Sequence, residues 1–145
     1  MRHLHWSVSQ TFTHFNFDQN NRVYDKLRNF CEVENAFSLL EFKHHNTTQA
    51  ILHEMKYRNR PEIGIDLAQL IKFDLRDYDG IIPIPLHPKR LKTRGYNQVE
   101  DFARTLAEIN QINYFSDGLI RTKYNSSQVN EDKKHRLENM KDAFE

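Results

Sequence analysis

The chain has 145 residues, with 21 lysines and arginines against 20 aspartates and glutamates, and 38% of its residues are hydrophobic. This length allows one ordinary domain with its own core, and the hydrophobic content is that of a globular rather than a disordered protein. A formal net charge of +1 removes the protein-wide positive field that would attract nucleic acid or membrane surfaces. Any anion site must therefore be a local cluster of cations.

Glycine and cysteine are both scarce. The glycines, Gly64, Gly80, Gly95 and Gly118, are far apart in the sequence, so glycine-rich phosphate loops and a nucleophile elbow are absent. The single cysteine, Cys31, excludes a disulfide framework or a multi-cysteine zinc site within the chain. The sequence has no apolar run long enough to span a membrane, and the lack of disulfides favours the cytoplasm.

The first half of the chain predicts an irregular segment over residues 1–35, followed by a strand over 36–42, where strand-forming apolar residues cluster. Helical spacing of apolar residues predicts two helices, one over 47–57 and one beginning near Pro61. These elements precede the part of the chain that carries the most informative residues.

The second half predicts a core strand that begins at Gly80 and ends near Pro83, because proline cannot donate to a sheet ladder. A loop over 86–96, a helix over about 97–109 and a short strand beginning at Leu119 follow. Alternating strands and helices favour an α/β fold, with an incomplete parallel sheet flanked by helices.

The stretch LHPKRLKTRGYNQ, from Leu86 to Gln98, holds four cations and no acid between the predicted strand and helix. Ligands of open α/β sheets bind at the carboxyl ends of strands, where a helix N-terminus offers free N–H groups to phosphate. The alternative is a solvated basic loop with a helix-capping asparagine. The candidate anion-binding residues are Lys89, Arg90, Arg94, Gly95, Asn97 and Gln98.

The sequence IPIPLHPKRLKTRGYNQ over 82–98 resembles the signature of the ComF family, phosphoribosyltransferase-like proteins linked in some bacteria to competence for DNA uptake. HEMKY over 53–57, Arg121 with SQV over 127–129, and the segment 136–144 resemble its other motifs. The resemblance implies a partial type I phosphoribosyltransferase-like fold with an N-terminal hood-like segment. It divides the chain into residues 1–35, in place of the family's cysteine zinc module, and a partial domain over 36–145.

The resemblance also implies that the basic stretch binds the pyrophosphate end of phosphoribosyl pyrophosphate. In the family, an acidic Thr/Gly-rich loop for the ribose and 5′-phosphate follows the segment that matches Ala143-Phe144, and no such loop occurs here. We therefore expect a catalytically incomplete chain without assigned catalytic residues, so whether it is an enzyme stays open. Magnesium is expected only with a complete family member, and Gln128 and Arg136 are possible flexible-loop residues.

Other functions remain open at this point. The chain could be a non-catalytic module whose cations and Tyr96 bind single-stranded nucleic acid, a module for a protein partner, or an inert remnant. The simpler interpretation of Tyr96 is an anchor for a helix start, and the position of His87 beside two prolines favours a structural role. His3 and His5 lack a thiolate partner, so no metal site is expected. The exposed edge of an incomplete sheet predicts a homodimer.

Overall fold

The computed structural model of the protein describes residues 21–40, 42, 47–71, 73–124 and 142–145. The chain divides into two compact units, Met1–Glu54 and Met55–Glu145. The sequence-based boundary between residues 35 and 36 stays a prediction. Mixed helices and a small parallel sheet agree with the predicted α/β class.

In the first unit, helix α1 covers Arg22–Leu27. Its N-cap is Asn21, whose Oδ1 accepts hydrogen bonds from Val23 N at 3.0 Å and Tyr24 N at 2.9 Å. The same side chain donates from Nδ2 to the carbonyl of Ala36 at 2.7 Å. One asparagine therefore satisfies two open N–H groups of the helix and positions a later segment.

The strand predicted over 36–42 is wrong for the residues described there, which form no strand. The Ala36 carbonyl is already engaged by the Asn21 side chain. The hydroxyl of Ser38 donates to the carbonyl of Leu40 at 2.9 Å. Side-chain bonds of this kind compete with the backbone ladder that a strand needs.

The two predicted helices are present. Helix α2 covers Thr47–Tyr57 and crosses from the first unit into the second, and helix α3 covers Glu62–Gln69. The break between them contains Asn59, whose φ of 49° is in the left-handed region. Pro61 precedes the first residue of α3, where its missing N–H costs no hydrogen bond.

The second unit is built on helix α3 and the later helix α5, Glu100–Asn110. Gly64 lies so close to α5 that a Cβ added to it would be 3.2 Å from the Phe102 nitrogen. Small residues allow helices to approach closely, and the apolar faces of both helices are buried. The buried apolar residues of this unit are Met55, Ile63, Leu67, Ala68, Ile71, Leu75, Ala103, Leu106, Ala107 and Ala143.

A buried polar bridge connects the end of α5 to the segment before the sheet. The side chain of Asn110, 7% exposed, accepts from Leu75 N at 2.9 Å and donates to the Leu106 carbonyl at 2.9 Å. Both ends of the amide are thus satisfied, which a buried polar side chain requires.

The sheet of the second unit consists of two short parallel strands. Strand β1 is Gly80–Ile81 and strand β2 is Asn113–Tyr114, with Gly80 opposite Asn113. Helix α4, Pro88–Arg94, and helix α5 lie between them in the chain. The parallel pairing agrees with the predicted parallel sheet, but β2 lies outside the predicted strands, and β1 ends at Ile81 rather than near Pro83.

The short strand predicted from Leu119 is wrong, and the pairing there is antiparallel. Ile120 exchanges two backbone hydrogen bonds with Glu145, at 2.7 and 2.9 Å. Arg121 and Phe144 form an isolated bridge. The strand that does pair with β1 contains a polar asparagine and only two residues, which gives no alternating pattern to detect.

We expect Gly80→Ala to destabilise the protein by about 1–3 kcal/mol, a typical cost of overpacking. The added Cβ would lie 2.6 Å from the carbonyl oxygen of Asn113 and from Cε2 of Phe115. Gly118→Ala is the control, because its Cβ would meet the Ile82 side chain at 3.2 Å. Urea unfolding of both variants measures the difference, and equal stability of the two would contradict this account of the strand contact.

Candidate functional site

The basic stretch after β1 contains a helix where the sequence predicted a loop. Pro88 occupies the first turn of α4, and His87 caps it through Nδ1, which accepts from Lys89 N at 3.1 Å. Gly95 ends the helix with a φ of 87° and donates its N–H to the Leu91 carbonyl at 2.7 Å. The loop prediction is wrong because these end signals outweigh the repulsion among like charges.

Four cations of α4 have no carboxylate partner among the described residues. Lys89 and Lys92 are exposed, whereas Arg90 and Arg94 are half-buried. Across the described part of the chain, no acid forms an ion pair with any of these four. By contrast, the described ion pairs occupy other cations, namely Arg28, Arg60, Arg76, Arg104 and Lys123. The positive charge of α4 is thus locally uncompensated.

Arg94 and Gln98 are brought together, as two of the predicted site residues. The Arg94 guanidinium donates from Nη1 to Oε1 of Gln98 at 2.5 Å. A guanidinium carries five N–H donors, so this bond orients Arg94 and leaves most of its donors for a ligand. Gln98 therefore positions the Arg94 guanidinium.

Asn97 has a structural role that differs from the predicted one. Its side chain is buried, at 6% exposure, and donates to the Ile84 carbonyl at 3.0 Å while Oδ1 accepts from Val99 N at 3.4 Å. Because α5 begins at Glu100, the predicted helix N-terminus at Asn97 and Gln98 is wrong. Asn97 instead joins the extended segment after β1 to the turn between α4 and α5.

Tyr96 anchors the same turn. Its hydroxyl donates to the carbonyl of Met55, near the end of α2. Burial raises the pKa of the Tyr96 phenol above its usual range, and the neighbouring Arg94 guanidinium opposes this rise. This hydrogen bond connects the turn after α4 to α2.

Tyr124 is a neighbour of the basic helix that sequence reasoning missed. Its ring meets the His87 ring edge-on, with centroids 5.1 Å apart and an interplanar angle of 62°. Nζ of Lys89 lies 5.4 Å from the Tyr124 ring centroid. No spacing pattern connects residues so far apart in sequence, so only the folded chain shows the contact.

Several predicted residues lie outside the described part of the chain: Gln128, Arg136, His3 and His5. In the ranges that the structure does describe, no group of three potential metal ligands comes together. Among those same residues, no helix combines the length and apolar character needed to cross a bilayer.

Comparison with curated proteins gives matches over 103 residues, which cover 65% of this chain and 45% of each relative. The chain is 29% identical to Competence protein F of Haemophilus influenzae. It is 27% identical to DNA utilization protein YhgH of Escherichia coli O157:H7 and of Shigella flexneri.

The chain is related to the ComF family.

This confirms the relationship predicted from the motif over 82–98. The matched part of this ComF relative spans less than half the length of those curated proteins. No family model matches the chain, and no solved structure matches it either.

We expect Asn97→Ala to lower the free energy of unfolding by about 0.5–1.5 kcal/mol, because it removes the hydrogen bond from a buried side chain to the Ile84 carbonyl. The matched control is Asn113→Ala. Asn113 also donates to a carbonyl, that of Asp79 at 2.9 Å, but it is exposed. Denaturant titration should show a clearly larger loss for Asn97→Ala, and similar losses would refute the structural role of Asn97.

Proposed function

We propose that the chain is a ComF-type phosphate-binding module whose helix α4 and the following turn bind the pyrophosphate end of a ligand such as phosphoribosyl pyrophosphate. The proposal includes a type I phosphoribosyltransferase-like fold around this site. The observation that carries it is the set of cations on α4 that form no ion pair with any described acid, on the first helix after the carboxyl end of β1.

The four cations have different chemical roles in this proposal. Arg94, oriented by Gln98, can bind two phosphate oxygens with its planar fork. Lys89, Arg90 and Lys92 add positive charge along the helix. Charge-assisted hydrogen bonds contribute about 1.5–3 kcal/mol each, but salt screens exposed charges. Affinity should therefore be modest and should fall as the ionic strength rises.

Lys92 and Arg94 lie in the last turn of α4, where positive charge is favourable to the helix dipole. Lys89 lies in the first turn, where positive charge is unfavourable until an anion neutralises it. A bound phosphate therefore stabilises the helix as well as filling the site. This coupling favours a ligand that contacts both ends of α4.

A second candidate ligand is single-stranded nucleic acid. It is favoured by the relatives named Competence protein F and DNA utilization protein YhgH, and the phosphodiester backbone would meet the same cations. Both candidates share a phosphate contact at α4. They differ in whether a nucleobase adds to the affinity.

We assign no catalytic residue. Phosphoribosyl transfer needs groups that fix the ribose and neutralise the departing pyrophosphate, and the site described above provides only the second. The described residues also offer no cluster of metal ligands. The proposal therefore involves no metal-dependent step.

Pyrophosphate titration followed by NMR tests the proposal. We expect amide shifts in residues 86–98 with dissociation constants in the high micromolar to millimolar range, and weaker binding at higher salt. Arg94→Ala should lose at least tenfold in affinity, which corresponds to about 1.4 kcal/mol. The site is refuted if Arg94→Ala binds as well as the unmodified chain.

The control is Arg76→Ala, which removes the same charge from an exposed arginine paired with Asp74. It should leave pyrophosphate binding unchanged. Arg136→Ala should also change little. Equal losses in Arg76→Ala and Arg94→Ala would indicate binding to net charge rather than to α4.

A further inference from the structure

We infer that Tyr124 is a stacking position for the planar ring of a nucleotide whose phosphate groups bind α4. The inference rests on the proposed phosphate site and goes beyond it by assigning a ring contact to a residue outside the basic stretch. It depends on how Tyr124 is held, on what lies beside it and on how much of it is exposed.

Tyr124 contacts His87, the residue that caps the basic helix. Its ring lies edge-on to His87 at 5.1 Å, and His87 is fixed because Nδ1 accepts the Lys89 N–H at 3.1 Å. Edge-to-face aromatic pairs are favourable at this separation. The tyrosine ring is thereby placed at the N-terminal end of α4.

A cation lies beside the tyrosine ring. Lys89 is exposed, and its Nζ lies 5.4 Å from the ring centroid. It has no carboxylate partner among the described residues. The ring and the charge are therefore close enough for one ligand to contact both, with a planar group on the ring and a phosphate on the ammonium.

The backbone that carries Tyr124 is anchored. Thr122 donates its N–H to the Ala143 carbonyl at 3.0 Å, next to the pair of bonds between Ile120 and Glu145. The nearby carboxylate of Asp142 lies 3.9 Å from Nζ of Lys123, so its charge is offset. Tyr124 itself remains 51% exposed, which leaves ring surface for a ligand.

These features together select a nucleotide unit. An inorganic anion would use the cations and gain nothing from the ring, whereas a neutral aromatic compound would use the ring and leave the cations unpaired. Stacking of a base on an aromatic side chain contributes about 1–3 kcal/mol to binding, and every kind of base can make this contact. The nucleotide could be free or part of a single strand, because both present a planar base together with phosphate.

The experiment measures the binding of three probes by isothermal titration calorimetry. Pyrophosphate has no base, adenosine diphosphate adds one base to a diphosphate, and a ten-nucleotide oligothymidylate is a single strand. The chains compared are the unmodified protein, Tyr124→Leu, Tyr124→Phe and the control Tyr57→Leu. Tyr57 is 67% exposed at the end of α2, away from the basic stretch in the sequence.

We expect at least one of the two nucleotide probes to bind about tenfold more tightly than pyrophosphate. Tyr124→Leu should remove that advantage, whereas Tyr124→Phe and Tyr57→Leu should keep it. Pyrophosphate affinity should be the same in all four chains. Loss confined to adenosine diphosphate identifies a free nucleotide as the source, and loss confined to the oligonucleotide identifies a single strand.

The inference is overturned if Tyr124→Leu leaves both nucleotide probes unchanged relative to pyrophosphate. In that case the proposed function would still hold if pyrophosphate binds and its binding depends on Arg94. If pyrophosphate and both nucleotides fail to bind the unmodified chain, the proposed function and the inference are both wrong. Circular dichroism of each variant verifies that its fold is retained before titration.

Discussion

The buried amide of Asn97 is the contact on which the geometry of the basic site depends. It donates to the carbonyl of Ile84, in the extended segment that follows β1. That segment contains Pro83 and Pro85, which have no N–H and cannot continue a ladder. The amide therefore fixes the direction in which the chain leaves the sheet, and with it the position of α4.

The basic helix is stable because of its ends rather than its faces. It has seven residues, which is too short for an isolated helix to be stable in water. Like charges four residues apart, such as Arg90 and Arg94, cost about 0.2–0.5 kcal/mol per pair. The caps at His87 and Gly95 oppose this repulsion, and a bound anion would remove it. The charges of α4 therefore do not contribute to its stability.

The sequence alone predicted those elements whose pattern lies within a short stretch of consecutive residues. Apolar residues at helical spacing identified α2 and α3, and a β-branched run before proline identified β1. It was wrong at α4, where a loop over 86–96 was predicted although Pro88 and Gly95 stand at the positions that begin and end a helix. An asparagine such as Asn97 can bind a ligand or cap a helix. Only its burial in the folded chain shows that its side chain faces the protein.

Contacts between distant parts of the chain were beyond prediction from one sequence. No periodic pattern in the sequence indicates that His87 contacts Tyr124 or that Gly80 pairs with Asn113. The two-residue strands are shorter than any alternating pattern can reveal. The relationship to the ComF family, in contrast, could be recognised from the motif over 82–98 because that motif is long and specific.

The bond from Tyr96 to the Met55 carbonyl joins residues 41 positions apart. Such a contact closes a long loop, and its entropic cost is recovered only when the helices of the second unit assemble. The turn after α4 therefore depends on the surrounding protein for its conformation. A synthetic peptide of the basic stretch would carry every charge of the site without the orientation of Arg94, and would bind phosphate as a flexible polycation does.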